Sequence, residues 1–213
     1  MIRDNDCYGD KKREIVKNYF LNPLAYLKLI PGQVKSGCCG ELKDRFVIFS
    51  YTGIIDRNDK GIFFVGYDCA KQMVDFINEK KQAANKPLIT MPVFFDPTGC
   101  GFTSELHVSN INKDILDVIL LLASIWDIQK FTGTLPYLLS IIAQNPNRHI
   151  DKKDIITLNT IVGKDAMIAS EQVTNFPERI KLEKIKLYCP TLPYLKNVLD
   201  YFKADGLIEH IYI

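Results

Sequence analysis

The hydrophobic pattern of the N-terminal segment is that of an amphipathic helix. Between residues 11 and 30, Ile15, Val16, Tyr19 and Phe20 recur at the spacing that places side chains on one helix face. The spacing therefore predicts one or two helices over 11–30.

A different pattern, typical of a β-hairpin followed by a helix, comes next. Residues 46–51 and 62–67 are both rich in β-branched and aromatic side chains, and a polar turn that ends in Gly61 lies between them. Apolar residues then recur at helical spacing over 68–83, with Asp68 in the position of an N-cap. The order strand, turn, strand, helix predicts a hairpin–helix unit.

The pattern becomes more helical toward the C-terminus. Residues 114–131 are apolar nearly all round, which predicts a deeply buried helix. Strands are predicted at 91–95 and 105–109, and further helices at 134–144, 151–158 and 191–204. The sequence thus predicts an α+β fold, with a mixed α/β part over 1–110 and a mainly helical part over 111–213.

Composition and charge exclude several classes of protein. The chain has 213 residues, of which 47% are hydrophobic and 24% charged, as in ordinary globular proteins. A net charge of +2 is too small to indicate nucleic acid or an anionic membrane by itself. The longest apolar run, 115–126, is shorter than the about 20 residues of a membrane span. Because residues 1–14 lack the apolar core of a signal peptide, we expect a cytoplasmic protein with reduced thiols and no membrane partner.

Three of the six cysteines are placed where they can converge. Cys38 and Cys39 precede the predicted hairpin, and Cys69 follows it in the first turn of the predicted helix, where the helix dipole favours thiolate. Structural zinc sites are built from four ligands, usually thiolate or imidazole. The sequence therefore predicts a zinc site at Cys38, Cys39 and Cys69.

The fourth zinc ligand stays open at this point. Cys7, Cys100 and His107 are all candidates, and their spacing in the sequence does not choose among them. The alternative to a metal site is that these cysteines are small buried thiols, packed as apolar residues.

The junction between the second predicted strand and its helix carries a resemblance to a known module. It reads GIFFVGYDCAK over residues 61–71, and Cys38-Cys39-Gly40 precedes it. Over residues 36–80 the chain resembles the treble-clef-like zinc modules of phage and bacterial proteins, in which a Cys-x-x-Cys-Gly knuckle, a hairpin and Val-Gly-x-x-Cys follow in order. The resemblance implies a zinc-stabilised hairpin–helix unit, although this chain has adjacent cysteines in place of Cys-x-x-Cys.

The C-terminal part carries a second resemblance. Its predicted helices, followed by Gly206-Leu207-Ile208 and a terminal strand, make residues 134–213 similar to a winged helix. That resemblance implies a nucleic-acid partner. The candidate contacts are four of the lysines of this part: Lys181, Lys184, Lys186 and Lys196. Since Glu178 and Glu183 interrupt the basic strip, the alternative is a solvated strand face.

One arrangement suggests an enzyme instead. Cys100 lies in a glycine-flanked loop, with Glu105 and His107 shortly after it. A nucleophilic thiol needs a nearby base, so these residues are the candidates for a cysteine-dependent hydrolase or transferase. No hydrolase signature is matched around them.

These observations favour a non-enzymatic binding protein. The first hypothesis is a factor associated with nucleic acid whose fold is stabilised by a bound metal, with zinc as its cofactor. The alternatives are a protein–protein interaction factor without metal, such as an inhibitor or adaptor, and the cysteine-dependent enzyme.

Overall fold

The fold is α+β, as the sequence predicts. The computed structural model describes residues 2, 7–29, 32–92, 94–96, 109–125, 131 and 133–168. The strands within this range are β1 (Tyr19–Lys28), β2 (Lys35–Gly37), β3 (Gly40–Leu42), β4 (Arg45–Gly53), β5 (Lys60–Gly66) and β6 (Phe94–Phe95). The helices within it are α1 (Lys11–Asn18), α2 (Tyr67–Ala83), α3 (Asn110–Ile125), α4 (Thr134–Gln144) and α5 (Lys152–Ile168). The chain divides into two compact units, Met1–Phe95 and Asp96–Ile213.

A four-stranded sheet in the order β5-β4-β1-β6 forms the centre of the first unit. Strand β4 pairs antiparallel with both β5 and β1, and β6 pairs parallel with β1. The hairpin predicted from 46–51 and 62–67 is confirmed as β4 and β5, and the helix predicted over 68–83 is confirmed as α2.

Both faces of this sheet are covered. Four consecutive residues of β4, Phe46 to Phe49, are fully buried, and consecutive strand residues point to opposite faces. Phe46 packs against Phe64 with ring centroids 5.3 Å apart, while Phe49 stacks on Phe63 at 5.5 Å. Strand β4 is therefore the centre of the hydrophobic core of this unit.

The prediction of helix over 11–30 is right for α1 and wrong for Tyr19–Lys28, which form β1. Strand β1 pairs with β4 from Tyr19 to Lys28, and a register shift at Pro23 gives the bulge that a proline inside a strand requires. Tertiary pairing with β4 overrides a spacing that also fits a helix.

The sequence pattern did not predict the short ribbon of β2 and β3. Cys38 and Cys39 form the two-residue loop between these strands, with Gly37 paired to Gly40. The Cys38 N–H donates to the Phe64 carbonyl over 2.7 Å, which attaches the ribbon to β5. The buried ammonium group of Lys35, on β2, lies 5.5 Å from the Phe46 ring centroid, so the ribbon also contacts the core.

Helix α2 begins two residues earlier than its predicted N-cap implies. Its N-cap is Gly66 rather than Asp68, which lies in the first turn with its carboxylate near the positive end of the helix dipole. The buried residues of α2 lie along one face and are Ala70, Met73, Val74 and Ile77. The helix contacts β4, β5 and α1.

The described part of the second unit is helical. Helix α3 begins at Asn110 rather than at residue 114, because the Ser109 hydroxyl caps it by accepting the Asn112 N–H over 3.3 Å. Helix α5 extends to Ile168, beyond the end predicted at residue 158. The segment 169–213, which holds most of the winged-helix resemblance, lies outside the described residues. Within the described part, no helix is both long enough and apolar enough to cross a membrane.

Candidate metal centre

Four cysteines from three segments of the first unit meet at one place. Cys7 precedes α1, Cys38 and Cys39 form the β2–β3 loop, and Cys69 lies in the first turn of α2. Cys7 and Cys38 form a disulfide with Cα atoms 5.3 Å apart, and the Cys69 side chain lies close enough to Cys39 to act on the pKa of its thiol. The structure thus brings the three predicted zinc ligands together with Cys7. We call this set the thiol cluster.

Backbone hydrogen bonds position the thiol cluster. The Cys7 N–H donates to the Cys38 carbonyl over 3.0 Å, so the N-terminal segment runs beside the β2–β3 loop. The Cys39 thiol in turn donates to the Cys7 carbonyl, with its sulfur 3.6 Å from the oxygen. Neither Cys100 nor His107, the other candidates for the fourth ligand, lies within the described residues.

Gly40 allows the loop to approach the segment around Cys7. Its φ is +98°, a conformation that side chains disfavour, and a Cβ there would lie 2.6 Å from the Tyr8 hydroxyl oxygen. A residue other than glycine at this position would both strain the backbone and push Tyr8 away from the loop that carries Cys38 and Cys39.

The surroundings of the thiol cluster shift the pKa of one of its members, Cys39. Burial raises the pKa of the Cys39 thiol to about 12, and the neighbouring Cys69 acts in the same direction. The positive charge of Lys12 opposes this shift. Without a metal, Cys39 is therefore protonated at neutral pH and is a poor nucleophile, since the thiolate is the reactive form.

The oxidation state decides what the cluster can bind. In the disulfide-bonded form, the described residues contain no group of three or more His, Cys, Asp or Glu side chains that could hold a metal ion. Reduction of the Cys7–Cys38 bond would give four thiols, the donor set of a closed structural zinc site. The expectation of reduced thiols differs from the structure at this pair, because the Cys7–Cys38 backbone contact brings the two side chains within bonding range.

A cluster of three aromatic rings and an arginine forms a second surface of this unit. Tyr26 stacks on Tyr67 with centroids 4.8 Å apart and contacts Phe94 at 4.7 Å. The Arg45 guanidinium lies 5.3 Å from the Tyr67 centroid and donates to the Tyr26 hydroxyl over 3.2 Å. All three rings are half-buried, and the Arg45 side chain is 48% exposed. We call this set the arginine–tyrosine patch; no motif in the sequence indicated it.

The second unit contains a cavity of about 210 Å³ at the start of α3, lined in part by Ser109, Arg148 and His149. Asn112 also lines it, but its side-chain amide donates to the carbonyls of Pro146 and Arg148 over 2.7 and 2.8 Å. The buried amide therefore fixes the loop after α4 and does not offer donors to a ligand.

The remaining predicted site residues fall outside the described residues. They are the nucleic-acid candidates Lys181, Lys184, Lys186 and Lys196, and the enzyme candidates Cys100, Glu105 and His107. The hypotheses built on them stay predictions.

The comparison with known proteins is informative at the level of a family. No curated protein and no solved structure matches the chain. A family model matches residues 4–204, which include all four members of the thiol cluster and nearly the whole chain. The chain therefore belongs to the family described as Uncharacterised conserved protein UCP028583.

Proposed function

We propose that this protein is a non-enzymatic binding protein whose first unit is held together by a zinc ion. The ligands are the four members of the thiol cluster in their reduced form. The observation that carries the proposal is the convergence of four cysteines from three segments of the chain, with Cys69 beside Cys39 and Cys7 bonded to Cys38. Zinc prefers this donor set, because four thiolates satisfy its tetrahedral coordination.

A zinc ion here would stabilise the first unit by linking segments that are far apart in the sequence. Cys7 and Cys38 are separated by 31 residues, and the β4–β5 hairpin lies between Cys39 and Cys69. One ion would tie the N-terminal segment, the β2–β3 ribbon and the start of α2 to one another. Because the unfolded chain offers no such site, the binding energy of zinc contributes to folding.

The charges around the cluster suit a tetrathiolate. A zinc ion with four thiolates carries a formal charge of −2. Lys12 is only 8% exposed, and its charge acts on Cys39. Cys69 lies at the positive end of the α2 dipole. The Lys12 charge favours the thiolate form of Cys39, which is the form that binds the metal.

The raised pKa of Cys39 argues against chemistry at this place. A protonated thiol does not attack a substrate, and a thiolate held by zinc in a closed site has no open position for one. This supports a structural role for the cluster; it does not bear on the cysteine-dependent hydrolase or transferase, whose candidate nucleophile is Cys100.

The test is metal binding by the reduced protein. We expect one zinc per chain by elemental analysis, and the intense visible bands of tetrahedral thiolate coordination when cobalt(II) replaces zinc. Single substitutions to serine at Cys7, Cys38, Cys39 and Cys69 should each weaken the bands and lower the melting temperature.

Cys100→Ser is the matched control, since Cys100 is the competing candidate for the fourth ligand. It should keep the zinc content and the cobalt spectrum of the parent. Reduced protein that binds neither metal would rule out the zinc centre. Loss of metal in Cys100→Ser, with metal retained in Cys7→Ser, would show that Cys100 and not Cys7 is the fourth ligand.

We also propose that the partner is single-stranded nucleic acid, bound at the arginine–tyrosine patch. Residues 7–95 contain 14 Lys and Arg against 9 Asp and Glu, a formal net charge of +5, compared with +2 for the whole chain. Nucleic-acid bases stack on aromatic rings and on the planes of arginine guanidinium groups. The patch offers both, because the exposed Arg45 guanidinium lies over the Tyr67 ring. Arg45 also contacts Asp44 at 3.3 Å, an exposed ion pair that is weak enough for a phosphate to replace.

Fluorescence anisotropy with a labelled single-stranded oligonucleotide tests this partner. Tyr67→Ala should weaken binding by about 1 to 3 kcal/mol per stacked base, and Arg45→Ala should also reduce the dependence on salt. Arg57→Ala is the matched control, because Arg57 covers the Phe20 ring at 4.6 Å elsewhere in the unit. Binding that is lost only when Lys181, Lys184 and Lys186 become Glu would move the interface to the C-terminal part. If the protein binds neither RNA nor DNA, another protein is the remaining candidate partner.

A further inference from the structure

The thiol cluster consists of a buried pair and an outer pair. Cys7 and Cys38 are 0% and 1% exposed, whereas Cys39 and Cys69 are half-buried and free. Only the buried pair is joined by a disulfide, and it is also the pair tied by a backbone hydrogen bond, from the Cys7 N–H to the Cys38 carbonyl. The two pairs therefore differ in both burial and bonding.

We propose that Cys7 and Cys38 are the redox-modification site of this protein, and that their oxidation to the observed disulfide expels the zinc ion. This inference rests on the proposed zinc centre. The zinc form and the disulfide form would be two states of the same four residues, selected by a peroxide as the oxidant.

The reaction balances with hydrogen peroxide. The sulfurs of Cys7 and Cys38 lose two electrons and form the S–S bond, while the O–O bond of the peroxide breaks and accepts them. Four protons are taken up: two convert the peroxide oxygens to two water molecules, and two protonate Cys39 and Cys69. Zinc leaves as the free divalent ion, because only two thiols remain where a structural site uses four ligands.

The geometry explains why the disulfide joins this pair. The Cα separation of 5.3 Å between Cys7 and Cys38 lies in the range that disulfides adopt. Cys39 and Cys69 are close enough to hydrogen-bond but stay unbonded in the same structure. The outer pair therefore remains as two thiols when the inner pair is joined.

Oxidation would preserve the link between Cys7 and the β2–β3 loop and change the link between that loop and α2. In both states Cys7 stays joined to the β2–β3 loop, through zinc or through the disulfide. Among the cysteines, the connection from that loop to α2 runs through Cys69, which is not covalently bonded to Cys39 in the disulfide form. Oxidation should therefore loosen the first turn of α2, where Tyr67 of the arginine–tyrosine patch also lies.

The experiment starts from protein whose zinc content has been measured, and adds hydrogen peroxide. A chromogenic chelator follows the release of zinc, while alkylation in denaturant before and after reduction, read by peptide mass spectrometry, assigns the thiols. We expect one zinc released per disulfide formed, with Cys39 and Cys69 alkylated before reduction and Cys7 and Cys38 only after it. A reductant with added zinc should restore the starting state, and amide exchange at the start of α2 should be faster in the oxidised form.

Three results would overturn the switch: a disulfide between Cys39 and Cys69, oxidation with zinc retained, or release of zinc with overoxidised thiols and no disulfide. Each of them leaves the zinc centre standing, because loading is measured beforehand. Protein that never loads zinc would instead refute the zinc centre, and the switch with it. Cys38→Ser, which keeps three thiols, should form no disulfide at Cys7, whereas Cys100→Ser should respond as the parent does.

Discussion

The Lys12 ammonium group donates a hydrogen bond of 2.9 Å to Oε1 of Gln72, and so joins α1 to α2 beside the thiol cluster. Lys12 is 8% exposed, and its charge opposes the upward pKa shift of Cys39. A buried cation is costly unless something anionic lies nearby. A zinc tetrathiolate would provide that negative charge, whereas the neutral amide of Gln72 does not.

Lys12→Met should therefore weaken zinc binding. Removal of the positive charge raises the pKa of Cys39 further, so protons compete better with zinc for the sulfur. We expect a loss of about tenfold in affinity, as for other groups that support metal ligands, and a shift of half-maximal binding to higher pH. Chelator competition at several pH values measures both.

Two variants separate charge from packing in this test. Gln72→Ala removes the hydrogen bond but keeps the lysine, and should leave zinc affinity within about twofold while costing about 1 kcal/mol of stability. Lys11→Met removes an exposed charge one residue away and should change neither. Equal effects of Lys11→Met and Lys12→Met would show that only net charge matters.

Gly40→Ala should destabilise the first unit by about 1 to 3 kcal/mol, because its φ of +98° disfavours any side chain and the new Cβ would collide with the Tyr8 hydroxyl. Tyr8 is 56% exposed and can swing away, so the backbone strain should dominate. Urea unfolding of Gly40→Ala with and without Tyr8→Phe measures the two contributions.

Gly66→Ala is the control: its φ is −61° and its Cβ would make an ordinary contact with Leu42 at 3.6 Å. A loss as large in the control would show that neither the φ nor the Tyr8 contact is responsible.

The hairpin and α2 could be predicted from the sequence because local and tertiary preferences agree there. β-branched and aromatic residues fill β4 and β5, and the apolar residues of α2 repeat at helical spacing. Strand β1 could not be predicted in this way. Its spacing fits a helix, and only the long pairing with β4, with a bulge at Pro23, makes it a strand.

The candidate site was predictable in part. The positions of Cys38, Cys39 and Cys69 around the hairpin indicated convergence, since a hairpin brings its ends together. Cys7 could not be chosen over Cys100 or His107, because it reaches the cluster through the Cys7–Cys38 backbone hydrogen bond, which leaves no spacing signal. The Lys12 contribution is likewise a consequence of how α1 packs on α2.

Asn112→Asp should destabilise the second unit by about 3 kcal/mol, since it places a buried carboxylate against two carbonyl oxygens that now receive hydrogen bonds of 2.7 and 2.8 Å. Lowering the pH should restore part of the loss, because a protonated carboxyl can donate one of the two bonds. Thermal unfolding measures both effects. Asn147→Asp, an exposed change in the same loop, should shift stability by less than about 0.5 kcal/mol; similar losses in both variants would contradict the role of the Asn112 amide.

Asp117 should make the second unit less stable as the pH rises. Burial raises the pKa of this carboxyl to about 6, with Asp114 adding to the shift and Lys113 opposing it, and its Oδ1 has no hydrogen-bond partner within the described residues. The pKa in the unfolded chain is about 3.9, so the folded state binds the proton more tightly between about pH 4 and pH 6. Stability is therefore highest below this window and falls across it.

Asp117→Asn should abolish the fall and stabilise the protein at pH 7 by about 1 kcal/mol, allowing for partial screening by solvent. Lys113→Met should extend the fall to higher pH, because it removes the charge that lowers the pKa of Asp117. Unfolding free energies measured from pH 4 to pH 7 would contradict the assignment if Asp117→Asn and the parent kept the same slope.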